Sequence, residues 1–179
     1  VSTLHLSETR TAIGARQCAR AAPDPAGDDI LAVAFAGSPA RWLDEWRAAV
    51  DAPPRATFVV YDAASWLAGD PSDRIADAAP ADTAVRTEFV DSPGNLTDLG
   101  VTLTELLETH AERAPETTFC FQSLTVLLQY SPPDEVYQFL HTLGGHLDRF
   151  GIAGHFHLHE GAHEEETIAS LRPAFDRVR

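Results

Sequence analysis

The chain has 179 residues, 44% of them hydrophobic, which suffices for one domain with a full core. Its 27 carboxylates outweigh 13 basic residues, for a formal net charge of −14, and every basic residue is arginine. A surface so acidic excludes nucleic acid and anionic membrane as expected partners. The acids run along the whole chain, so they read as a solvated surface suited to molar salt and not as an acidic arm. The longest apolar stretches, such as residues 30–36, are far too short to span a membrane, and no signal-peptide pattern is visible, so a cytoplasmic location is expected. Cys18 and Cys120 sit in apolar runs and read as buried thiols rather than as a disulfide or metal pair.

In chain order, residues 2–6 form a first strand and residues 12–22 a helix, ended by Pro23-Asp24-Pro25-Ala26-Gly27. Residues 30–36 are a buried strand. Ser38 then caps a helix with Pro39 at its first position, and Trp42, Leu43, Trp46 and Val50 form the inward stripe. Residues 57–61 are the next strand. Residues 62–83, rich in Ala, Asp and Pro, read as a surface excursion pinned by Trp66 and Leu67. After a strand at 85–90, a helix carries Leu99, Leu103, Leu106, Leu107 and His110 on one side. Residues 117–121 are a fully buried strand.

The strongest helix spans residues 133–150, with Val136, Phe139, Leu140, Leu143, Leu147 and Phe150 at helical spacing, Pro133 at its start and Gly151 beyond its end. Gly144-Gly145 inside it reads either as a place for close packing against another backbone or as simple tolerance. His141 and His146 read as solvent-facing. A last clear strand at 153–159 precedes a short helix at 164–171. Alternating strands and helices predict a single α/β domain, a three-layer sandwich whose mostly parallel sheet has helices on both faces.

One stretch brings in a family. Phe119-Cys120-Phe121-Gln122-Ser123-Leu124-Thr125 resembles the Walker B region of RecA/KaiC-like ATPases, an apolar strand followed by Asp-Ser-Leu. The strand 154–159 and the ending Phe175-Asp176-Arg177-Val178 are similar to later segments of that fold, and Val33-Ala34-Phe35-Ala36-Gly37-Ser38-Pro39 resembles its Phe-Glu-Glu-Ser-Pro strand. Residues 95–179 carry most of the likeness. The whole chain resembles a group of uncharacterised haloarchaeal proteins of this fold, some of them labelled transducer-like.

The resemblance implies where nucleotide machinery should stand, and three parts of it are missing. A phosphate-binding loop needs glycines, a lysine and a Ser/Thr for Mg²⁺. The matching stretch here is Ser7-Glu8-Thr9-Arg10-Thr11, in which Arg10 and Thr11 only mimic the Lys-Thr pair. Ala36 and Gly37 stand where catalytic acids are expected, and Gln122, followed by Ser123, replaces the Asp that organises Mg²⁺. The expectation is a degenerate, non-catalytic domain without cofactor, acting in regulation or as a scaffold through a protein partner or self-association.

A second reading starts from His155, His157 and His159, which alternate along one strand and so share a face. With His163 and Glu164 they form a candidate metal set for an enzyme or sensor, since imidazole and carboxylate suit Zn²⁺, Fe²⁺ or Mn²⁺. The bland counterpart is a strand of histidines bonded to neighbouring groups. A third reading, a sensor that binds nucleotide without hydrolysis, would need an anion-binding nest near Arg10.

Overall fold

The computed structural model describes residues 1–8, 14–35, 39–51, 55–61 and 85–179. Arg10, Thr11, Ala36, Gly37, Ser38 and the 62–83 excursion with Trp66 and Leu67 therefore lie outside the described residues. Seven strands form one sheet: β1 (Ser2–Ser7), β2 (Asp29–Ala34), β3 (Arg55–Tyr61), β4 (Val85–Val90), β5 (Thr117–Gln122), β6 (Ala153–His159) and β7 (Arg177–Val178). Their spatial order is β4-β3-β2-β5-β6-β1-β7 and every pairing is parallel. The expected α/β architecture is what the chain adopts, with the sheet parallel throughout.

Helices cover both faces, which is why the central strands read as continuous apolar runs. On the first face, α1 (Ala15–Ala21) and α2 (Pro39–Arg47) pack Cys18, Trp42, Leu43 and Trp46 on Ile30, Ala32, Phe58 and Cys120. On the second lie α3 (Leu96–His110), α4 (Leu124–Tyr130), α5 (Pro133–Phe150) and α6 (Glu165–Leu171). There Leu99, Leu103, Val136, Leu140 and Leu147 meet Leu31, Val33, Phe119, Phe121 and Phe156. All six residues of β5 are buried because the strand lies mid-sheet beneath both layers.

Local chemistry sets the helix ends. Asn95 caps α3 by accepting from the Asp98 N–H at 3.2 Å, satisfying a donor that the first turn leaves orphaned. In α5, Pro133 opens the first turn, with Asp134 and Glu135 beside the positive end of the dipole, and Gly151 ends it at φ 72°. The short α4 has no counterpart among the expected elements. Its apolar run Leu124-Thr125-Val126-Leu127-Leu128 carries no clear helical period; Ser123 starts it by accepting from the Thr125 N–H.

Two expectations change, those for the cysteine pair and for His146. Cys18 and Cys120 are not separate thiols but a disulfide, with Cα atoms 6.1 Å apart. They are 102 residues apart in sequence, and only the packing of α1 across β5 stacks one over the other. The glycine pair in α5 makes no forced backbone approach: a Cβ on Gly144 would meet the Ala174 carbonyl at 3.7 Å, and one on Gly145 would meet nothing within 4 Å. His141 is exposed as expected, whereas His146 is half-buried and stacks on Phe150.

Candidate functional site

In open parallel sheets, ligands bind beyond the C-terminal ends of the strands, where neighbouring connections leave opposite faces. Here one such point lies between β2, whose chain continues into α2 on the first face, and β5, whose chain continues into α4 and α5 on the second. Another lies between β1, which leads to α1 on the first face, and β6, which leads to α6 on the second. Gln122 ends β5 in register with Ala34, and its carbonyl accepts from the Phe35 N–H at 2.8 Å. Its side chain is 3% exposed and its Nε2 has no hydrogen-bond partner among the described residues. The peptide bond from Gln122 to Ser123 is cis. The Ser123 hydroxyl is 2% exposed and engaged in capping α4. What meets at this edge is thus a buried neutral amide, a committed hydroxyl and the apolar Ala34 and Phe35.

The histidines divide into two groups. His155 and His157 share a face as expected, and parallel pairing of β1 with β6 sets His5 directly opposite His157. His5 Nε2 and His155 Nδ1 are 3.0 Å apart, and the His5 ring stacks on His157 with centroids 4.9 Å apart and planes 18° from parallel. His157 is fully buried and neither of its ring nitrogens has a partner among the described residues. Burial, then the neighbouring His5 and His155, pushes its pKa down to about 3. Burial, then His5 and Arg179, lowers His155 to about 4, and burial with Arg179 lowers His5. At neutral pH this is a stack of uncharged imidazoles beside a cavity of about 280 Å³, whose wall includes Gln17, Arg20 and Arg179.

His159 belongs to the other group. Its backbone N–H donates to Thr125 Oγ1 at 2.9 Å, and its Nε2–H donates to the Glu8 carbonyl at 3.1 Å. His163 is half-buried, its Nε2 is unpartnered among the described residues, and burial, then His159, lowers its pKa. Glu164 is exposed at the start of α6. Among the described residues, no three His, Cys, Asp or Glu side chains stand in an arrangement that could hold a metal ion. Face-to-face rings place their nitrogens side by side instead of converging on one point, as tetrahedral ligation needs.

His5 is the residue that the sequence reading passed over. It sits alone in the first strand, and nothing local ties it to residues 155 and 157; only the register of β1 on β6 does. The same holds for Gln17 and Arg179, which reach the cavity from α1 and from the residue after β7.

No curated protein matches the chain at a significant level. A model for a family of unknown function, DUF7504, matches residues 2–178. That match takes in every strand and helix described above, and the chain belongs to this family.

Proposed function

We propose that the chain is a non-catalytic RecA/KaiC-like domain that acts through protein–protein contacts, as a regulatory or scaffold protein in haloarchaeal signalling. The observation that carries this reading is Gln122. Phosphoryl transfer relies on a carboxylate to organise Mg²⁺ and on donors preorganised around the charge that develops. At the strand end where the resemblance calls for that carboxylate, the chain has a buried amide packed beside Ala34 and Phe35. An amide supplies no charge to a divalent ion, and burial leaves it little room to recruit water. Ser123, the neighbouring hydroxyl, is already bonded within the fold.

The same reading covers the surroundings. The net charge of −14 supports a protein partner or a second copy over nucleic acid or anionic membrane, and no described helix is long and apolar enough to cross a membrane. Arginine without lysine, on an acidic surface, supports a cell with molar internal salt. A cytoplasmic location requires the Cys18–Cys120 bond to persist there, although such bonds are commoner in oxidising compartments. Trapping free thiols at the moment of lysis tests this: a chain isolated with both cysteines alkylated would overturn the oxidised cytoplasmic form.

The functional test is ATP turnover, with thermal melting in about 1 M KCl with and without Mg²⁺-ATP. The expected result is no turnover above background and no saturable rise in Tm. Steady turnover abolished by Gln122→Ala would refute the proposal. A saturable Tm rise without turnover would replace it with the nucleotide-sensor reading.

A further inference from the structure

Strand β4 ends the sheet, with one edge paired to β3 and no partner on the other among the described residues. Val85, Thr87 and Phe89 stand on the first face, and Arg86, Glu88 and Val90 on the second. Val90 is buried against the α3 side and Val85 is half-buried, while Phe89 is 38% exposed. Arg86 and Glu88 are both exposed, and neither has an ion-pair partner among the described residues.

Open edges usually carry charges that discourage an incoming strand. Here the two charges have opposite signs, lie on the same face and flank Thr87 symmetrically. That arrangement is self-complementary. If a second copy pairs antiparallel about a two-fold axis through Thr87, Arg86 faces Glu88 of that copy and Glu88 faces its Arg86. On the other face, Val85 of each copy covers Phe89 of the other. A two-fold through Glu88 or through Arg86 would set like charges opposite each other, and one between residues would oppose side chains that point to opposite faces, which antiparallel pairing does not allow. Only the Thr87 register satisfies both faces.

We infer that β4 is a self-association edge, through which two copies of this chain join their sheets antiparallel about Thr87. This deepens the reading above by naming one partner and its surface, and it rests on that reading only in taking protein contact as the mode of action. A paired edge of six residues is small beside a standard interface, so the dimer forms and dissociates with concentration. Each copy carries a net charge of −14, so the dimer is strongest in molar salt, where repulsion beyond the contact is screened within about 3 Å.

The test is sedimentation equilibrium of the full chain over a concentration series in about 1 M KCl. Four proteins are compared: wild type, Arg86→Glu, Glu88→Arg and the double exchange. The wild-type mass is expected to climb from 19.4 kDa toward twice that value. Each single reversal turns two attractive cross-strand pairs into two repulsive ones and should weaken association by about ten-fold or more. The double exchange restores the opposite pairs and should return Kd to within about three-fold of wild type. Both side chains are exposed, so matching circular dichroism melts are expected for all four. A wild type that stays monomeric throughout would overturn the inference, as would single reversals that dimerise normally or a folded double exchange that fails to recover. ATP turnover on the same samples separates the two readings. An inactive monomer sinks only the β4 dimer, whereas an active protein of either mass sinks the non-catalytic assignment.

Discussion

Acid should destabilise this protein in part through His157, and His157→Phe should remove that residue's share of the loss. The side chain is 0% exposed, with both ring nitrogens unpartnered among the described residues and its pKa held near 3 against an ordinary 6.5. At about pH 8 it is neutral whether the chain is folded or not. As pH falls below 6.5 the unfolded chain takes up a proton that the native chain refuses, so stability drops by about 1.4 kcal/mol per pH unit. The loss from this residue reaches about 2 kcal/mol at about pH 5 and continues until the pH falls through the native value near 3. His155 acts in the same direction, with less weight because it is only partly buried.

Phenylalanine keeps the ring on His5 and carries no proton. Its absolute effect at about pH 8 combines relief of unpaired nitrogens, worth about 1–3 kcal/mol, with a repacking cost of similar size. The informative quantity is therefore the difference between the two pH values. Urea unfolding in about 1 M KCl should show wild type losing about 2 kcal/mol more than His157→Phe between about pH 8 and about pH 5. Equal losses would mean that His157 is not a buried neutral imidazole, and the reasoning from its burial would be wrong.

Three further outcomes follow from the disulfide and from packing at two glycines. The Cys18–Cys120 bond closes a loop of about 100 residues, so reduction, or Cys18→Ala with Cys120→Ala, should cost on the order of 4–5 kcal/mol; an unchanged Tm under reductant would show that the bond contributes nothing. Gly145→Ala should stabilise by about 0.5–1 kcal/mol, since a Cβ there has open space and the helix gains propensity. Gly154→Ala should instead destabilise by about 1–3 kcal/mol, because its Cβ would come within 2.7 Å of Leu147 Cδ1 and 3.0 Å of Phe156 Cε2; denaturant midpoints that rank the two alanines the other way would contradict the described packing.

The layers can be read from residue patterns alone. The runs at residues 30–36 and 117–121 read as strands covered on both faces, and the stripe from Val136 to Leu147 as an amphipathic helix, so the α/β sandwich was legible. Gln122, where the resemblance calls for an acid, was equally legible, because residue identity needs no geometry. Tertiary structure decided what depends on register and on crossing. Which histidines meet is set by β1 lying beside β6, which brings in His5 and leaves His159 with Glu8 and His163. Which cysteines join is set by α1 crossing β5, and which strand ends the sheet among the described residues is set by the order of the strands. Side-chain periodicity records which way a residue faces along its own element; it holds no record of the element that will lie alongside, because that choice is made by packing between segments far apart in the chain.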